Sequence, residues 1–222
     1  MPDPHRLKRE LSEILSQPHY SALIHKQTEA RQQKVTPDSI AAAVTDRIMT
    51  DCPFEGVVTV EEIKGGKYAE FYRGFDGIGG SKIKDAFPAM TLGSFWCDRA
   101  LIQDIWTSTA QLSAAARKQE FFDGLRSAMF IHPNWNRLTD IACMAVPEGN
   151  WLAVVKGKGG WRSMRQQPGR PLQSPQIRNA GDVIDRLHWM PIPGAHQYYL
   201  PLFNDMWVNK VPALHLSWPL WS

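Results

Sequence analysis

Arg73 is the residue in this chain whose type and setting most suggest chemistry. It stands in an aromatic-flanked segment, Phe71-Tyr72-Arg73-Gly74, that predicts a β-strand. A guanidinium is rarely buried without a partner, and its planar fork of donors suits phosphate or carboxylate. Arg73 is therefore predicted to bind an anionic ligand. The alternative is an edge-strand arginine paired with Glu70 or Asp76, and the sequence favours neither interpretation.

A second aromatic segment, Gly93 to Trp96, predicts another short strand. Asp98 follows it as the predicted N-cap of a helix. Phe95 and Trp96 could stack on a flat ring such as nicotinamide or a nucleobase. In an alternating strand, however, at least one of these two side chains is expected in the core.

The last candidate polar residue is Gln197, in a predicted strand near the C-terminus. Its amide can donate to and accept from a ribose hydroxyl. The alternative is a glutamine that faces outward from a strand. The glycine-rich segments 74–80 and 156–160 match neither the dinucleotide-binding nor the P-loop spacing, so both are interpreted as turns or loops.

Metal and thiol chemistry are not predicted. The three cysteines, Cys52, Cys97 and Cys143, stand far apart with no ligand spacing around them, and none of the common hydrolase or metal motifs occurs. No signal-peptide-like or long apolar run is present. We therefore predict reduced thiols, no metal site and no membrane contact, in a cytoplasmic protein.

The order of elements predicts an α+β fold. Residues 1–50 have helical periodicity and should form an N-terminal helical layer, which either caps the domain or meets a partner. Residues 51–222 combine β-branched and aromatic segments with two central helices, which predicts a mixed, β-rich body.

Four short motifs in this order resemble the ADP-ribosyltransferase superfamily, within its bacterial toxin and NAD-glycohydrolase branches. The motifs are Phe71-Tyr72-Arg73-Gly74, Gly93-Ser94-Phe95-Trp96-Cys97-Asp98, Val146-Pro147-Glu148-Gly149 and the segment Gly194 to Pro201. The resemblance spans roughly residues 68–216. It implies a split, twisted β-sandwich with NAD in the cleft between its halves.

The resemblance also implies roles for particular residues. Arg73 would hold the NAD phosphates and ribose, beside Tyr72 and Gly74. The nicotinamide pocket would be shaped by Ser94, Phe95 and Trp96. Gln197 would bond a hydroxyl of the nicotinamide-side ribose, so Arg73 and Gln197 are the predicted catalytic residues. NAD would be the substrate, and no metal is required.

The implied activity is NAD consumption with release of nicotinamide, as in a bacterial toxin or effector that can be delivered to a target cell. Two departures from the family pattern affect the acceptor. No glutamate stands near Gln197, and Ser94 is not in an S-T-S motif. Transfer to a protein, NAD hydrolysis and transfer to a nucleic acid therefore all stay open.

The rival hypothesis is a non-enzymatic accessory protein. From residue 151 onward the chain has eight basic and three acidic residues, about five net positive charges. The basic loop 156–170, with Trp161, could follow a phosphate backbone and stack on a base. The Trp-rich end, with Trp207, Trp218 and Trp221, could instead bind a protein partner, as could the N-terminal helices.

Overall fold

The computed structural model describes residues 2–51, 54–67, 69–75, 95–129, 138, 140–159 and 195–211. Within these residues the chain forms five α-helices and a seven-stranded antiparallel sheet, which confirms the predicted combination of helices and strands. None of the described helices has the length and apolar character needed to span a membrane.

Three helices precede the sheet: α1 (Pro4–Leu15), α2 (Ser21–Arg31) and α3 (Pro37–Asp51). The Asp3 carboxylate caps α1 by accepting hydrogen bonds from the backbone N–H groups of His5 and Arg6. The apolar residues of α1 recur at helical spacing and bury one stripe, Leu7, Leu11 and Leu15.

The seven strands lie in the spatial order β1-β5-β6-β3-β2-β4-β7, and all neighbours are antiparallel. Their bounds are β1 Phe54–Lys64, β2 Glu70–Phe75, β3 Phe95–Asp98, β4 Asp140–Ala145, β5 Trp151–Gly159, β6 His196–Tyr199 and β7 Val208–Val211. The helices α4 (Arg99–Ser108) and α5 (Ala114–Ala128) connect β3 to the region before β4.

One face of the sheet, which we call the helical face, is covered by helices in two groups. The α1 and α3 stripes pack with Phe54, Ala153 and Val155. The α4 and α5 stripes pack with four strand residues on the other half of the sheet, Tyr72, Cys97, Ile141 and Cys143. Because side chains alternate along a strand, every second residue of β3 and β2 points away from these helices.

The opposite face, which we call the far face, carries a single apolar cluster drawn from most of the strands. Its strand residues are Phe71, Trp96, Ala142, Met144, Leu152, Val154, Tyr198 and Val208. Leu200 and Trp207, from the segment between β6 and β7, belong to the same cluster. The far face is therefore a second core.

One sequence prediction about the strands needs correction. Lys156 to Gly159, interpreted as part of a glycine-rich loop, belong to β5, because β5 is hydrogen-bonded to β1 on one side and β6 on the other. Gly157 is needed there, since a Cβ would come within 2.7 Å of the Phe54 ring.

Candidate functional site

Arg73 occupies the middle of β2 and points to the far face. In the β2–β4 ladder it is directly opposite Ala142, a member of the far-face cluster. Directly opposed residues of an antiparallel pair share a face, so Arg73 projects beside Phe71 and away from the helices. The sequence thus places a cation on a face that is otherwise mostly apolar.

The Arg73 guanidinium has few partners. Nη1 donates to the backbone carbonyl of Phe95 at 2.5 Å, whereas Nε is buried without a hydrogen-bond partner. None of the carboxylates whose side chains the structure describes forms an ion pair with it. Burial lowers the pKa of Arg73 to about 10, so the group still carries its positive charge at neutral pH.

The interpretation of Arg73 as a partner of Glu70 is wrong. Glu70 points to the opposite face of the sheet from Arg73, because the two positions differ by three along a strand whose side chains alternate. Its Oε2 instead accepts a hydrogen bond from the Tyr72 hydroxyl at 2.8 Å and lies 3.4 Å from Arg99 Nη1. The other proposed partner, Asp76, lies outside the described residues.

Strand β3 pairs with a different neighbouring strand along each half of its length. Its first two residues, Phe95 and Trp96, pair with β6, and its last two, Cys97 and Asp98, pair with β2. The carbonyl that Arg73 binds belongs to the β6-paired half. Arg73 therefore bridges the two halves of the sheet where the described β2–β3 ladder ends.

Trp96 shares the far face with Arg73 and is fully buried. It is opposite Tyr198, and its indole meets the Phe203 ring edge-to-face. The expectation that one of the two aromatic residues is in the core is therefore correct for Trp96. Its indole N–H is a second buried donor without a partner on this face, and such a donor is costly unless something accepts its hydrogen bond.

The other predicted ligand-binding residues lie elsewhere. Phe95 faces the helices, with edge-to-face contacts to Phe54 and Tyr199. Tyr72 is buried under α4 and α5, so it is a core residue. A Cβ on Gly74 would lie 2.8 Å from the Leu138 side chain, so the absence of a side chain at Gly74 leaves room for Leu138 in the core on the helical face. Ser94 lies outside the described residues.

Gln197 is buried, and its amide Nε2 has no hydrogen-bond partner. The neighbouring residue Tyr198 is in the far-face cluster, so alternation along β6 directs Gln197 to the helical face. The alternative of an outward-facing glutamine is wrong, since the side chain is in the interior. The structure does not bring Gln197 and Arg73 together, because they lie on opposite faces of the sheet.

A chain of polar contacts on the far face was not predicted from the sequence. The Tyr198 hydroxyl donates to Asp98 Oδ2 at 2.9 Å, and Lys156 lies with Nζ 5.7 Å from the Tyr198 ring centroid. Lys156 also lies 3.7 Å from Glu61 Oε2. Side-chain alternation could have indicated these contacts. Tyr198 follows Gln197 and therefore points to the opposite face, and Asp98 is two residues beyond Trp96 and therefore shares its face.

Thiol chemistry is not favoured at this site. Cys97 and Cys143 are buried, and burial raises the pKa of both thiols. Each is opposite Tyr72 from a different neighbouring strand, so the two thiols are separated by β2 and are not within reach of each other. Among the described residues, no group of three or more His, Cys, Asp or Glu side chains could hold a metal ion.

Comparison of the chain with known proteins found no similar protein. No protein-family model matches the chain, and neither a curated protein nor a solved structure matches it.

Proposed function

We propose that the far face at Arg73 binds the phosphate groups of NAD, and that the protein is an NAD-consuming enzyme. The observation that carries this proposal is the state of Arg73. It is a partly buried cation with one carbonyl partner, a buried Nε that has no hydrogen-bond partner, and no ion pair with any carboxylate whose side chain is described. A buried cation is costly unless an anion compensates it, and phosphate oxygens suit the guanidinium fork.

The choice of NAD among phosphate-bearing ligands comes from the motif order in the sequence. The division of β3 between two half-sheets supports, at a coarse level, the split and twisted β-sandwich that this resemblance implies. Trp96 adds a second unpartnered donor beside Arg73 on the same face. Gln197 has no role in this version of the site, because it faces the helices.

The proposed reaction breaks the bond between the ribose C1 and the nicotinamide nitrogen. The electron pair leaves with nicotinamide and neutralises its ring charge, while C1 gains positive charge. An oxygen of water or of an acceptor then bonds to C1 and loses its proton. Arg73 contributes by fixing the phosphates, and thereby the ribose, in position. The acceptor, protein or nucleic acid, is a separate question, as is a role as a toxin or effector.

The test is incubation of the full chain with NAD, with free nicotinamide followed by chromatography and binding followed by thermal shift. We expect Arg73→Ala to lose NAD binding at least tenfold and to lose nicotinamide release, since the phosphates lose their cation. Arg117→Ala is the matched control. Arg117 is also partly buried and donates to a carbonyl, that of Trp106 at 3.1 Å, but it stacks on the Trp106 ring in the α4–α5 layer.

Unchanged NAD binding by Arg73→Ala would refute the assignment. If the wild type neither binds NAD nor releases nicotinamide, the NAD proposal fails. Tight nucleic-acid binding with a steep salt dependence would then favour the accessory-protein hypothesis. Only the start of its basic loop is described, and there Lys156 is paired with Glu61.

A further inference from the structure

Asp98 lies close to Arg73 on the far face. In the β2–β3 ladder Asp98 is directly opposite Phe71, and Arg73 is two residues further along β2. Two such diagonal positions on one face of an antiparallel pair are about 7–8 Å apart. Both residues are partly exposed, so a ligand could reach them.

These opposite charges nevertheless do not form an ion pair with each other. Asp98 Oδ1 accepts from the backbone N–H of Leu101 at 2.9 Å, and Oδ2 accepts from the Tyr198 hydroxyl at 2.9 Å. Arg73 donates to the Phe95 carbonyl instead. Each charge is therefore held by its own partners, which keeps the guanidinium and the carboxylate apart.

A buried donor lies between these two charges along β3. Trp96 lies in β3 between Phe95, whose carbonyl accepts the hydrogen bond from Arg73, and Asp98 at the end of the strand. The indole N–H of Trp96 is fully buried and has no hydrogen-bond partner. The far face thus carries a cation, an unpartnered N–H donor and a carboxylate on residues at neighbouring positions of β2 and β3. A carboxylate accepts hydrogen bonds at about four lone-pair positions, and the described residues use two of those on Asp98.

We propose that Asp98 binds the adjacent 2- and 3-hydroxyl groups of a ribose whose 5-phosphate is bound by Arg73. The inference rests on the proposed function and names the sugar class that the same site selects. A phosphate cannot occupy the Asp98 position because like charges repel, whereas sugar hydroxyls donate to a carboxylate. The ligand must therefore carry its anionic and its donor groups separately, as a phosphorylated ribose does.

The test uses the full chain with ribose 5-phosphate and 2-deoxyribose 5-phosphate, and ligand-observed NMR gives both affinities. We expect the wild type to prefer ribose 5-phosphate about tenfold, since a hydrogen bond to a charged group is lost with the 2-hydroxyl. Asp98→Asn should reduce this preference to less than about threefold while still binding both sugars through Arg73. Asparagine is as good an N-cap as aspartate, so α4 should stay intact.

Glu61→Gln is the matched control, and its melting temperature should be compared with that of Asp98→Asn. Glu61 is a carboxylate on the same face but on β1, three strands from β3, which is about 14 Å. It should leave the ribose preference unchanged. The inference is overturned if Asp98→Asn keeps the wild-type preference, or if the wild type binds neither sugar phosphate.

Nicotinamide release from NAD, measured in parallel, separates this inference from the proposed function. A ribose preference that depends on Asp98, without nicotinamide release, supports the sugar site and refutes the NAD reaction. Nicotinamide release with a ribose preference that Asp98→Asn leaves intact supports the reaction and refutes the role of Asp98.

Discussion

At the scale of single residues, the chemistry of this protein depends on which buried polar groups have partners. Arg73 keeps its charge although it is partly buried, and the Trp96 N–H and the Gln197 amide nitrogen have no hydrogen-bond partner. Such groups are rare in native structures and each needs an explanation. On the far face, the proposed phosphorylated ligand would supply partners for Arg73 and Trp96, whereas Gln197 lies on the other side of the sheet.

The buried thiols lead to a prediction about alkaline pH. Burial raises the pKa of Cys143 from 9.0 to about 12. Between these values the folded protein holds a proton that the unfolded chain has lost. The free energy of unfolding must therefore fall as the pH rises through this window.

We expect the step from pH 7 to pH 10 to remove about 1 kcal/mol through Cys143. Urea unfolding of the wild type and of Cys143→Ala at both pH values measures this contribution. The pKa values of Tyr72 and Tyr198 are also raised, chiefly by burial, so the variant should still lose stability, but less than the wild type. Equal losses in the two proteins would show that Cys143 titrates normally.

At the scale of elements, the turn between β1 and β2 packs closely against the connection between β4 and β5. Gly65 donates its N–H to the Asn150 carbonyl at 2.8 Å. A Cβ on Gly65 would lie 1.9 Å from the Pro147 carbonyl oxygen, which is backbone and cannot move aside. A Gly65-Gly66 pair is typical of a turn between strands, but the contact with Pro147 comes only from the fold.

Gly65→Ala is expected to destabilise the protein by about 2 kcal/mol or more, since the new methyl group clashes with backbone. Gly149→Ala, in the connection that Gly65 faces, is the control. Its φ is +81° but nothing lies within 4 Å of its Cβ position, so it should cost about 1 kcal/mol from backbone conformation alone. Chemical denaturation of both variants gives the comparison. A Gly65→Ala variant no less stable than Gly149→Ala would contradict the close approach.

At the scale of the whole molecule, the N-terminal helices and the sheet share one core. Leu11 and Leu15 of α1 pack in the same cluster as Ala153 and Val155 of β5. The apolar stripes of these helices pack on the protein's own sheet. This is the capping role, one of the two roles that the sequence left open. A chain with a shared core should unfold the helices and the sheet together.

Leu11→Ala is therefore expected to cost about 2–5 kcal/mol for the whole protein, because Leu11 is fully buried. Thermal unfolding followed by far-UV circular dichroism and by tryptophan fluorescence should show one coincident, lowered transition. Leu112→Ala, at a leucine that is 41% exposed, should change stability by less than about 0.5 kcal/mol. Loss of helical signal well before the fluorescence change would show that the helices form an independent unit.

The sequence by itself determined the local elements, because periodicity, caps and turn residues act over a few positions. The leucines of α1, the Asp98 cap and the Gly65-Gly66 turn were all predictable in this way. The presence of an arginine in an apolar strand was equally visible. These features depend on neighbours in the chain, which the sequence lists directly.

Only the tertiary structure decided which of these residues meet. The order of the strands set Arg73 and Trp96 on one face and directed Gln197 to the other, and it joined Asp98 to Tyr198 across 100 residues of chain. It also kept Lys156 to Gly159 in a strand, because two flanking strands supplied the hydrogen bonds. Side-chain alternation is local, but the face that a strand presents depends on its register with strands distant in sequence.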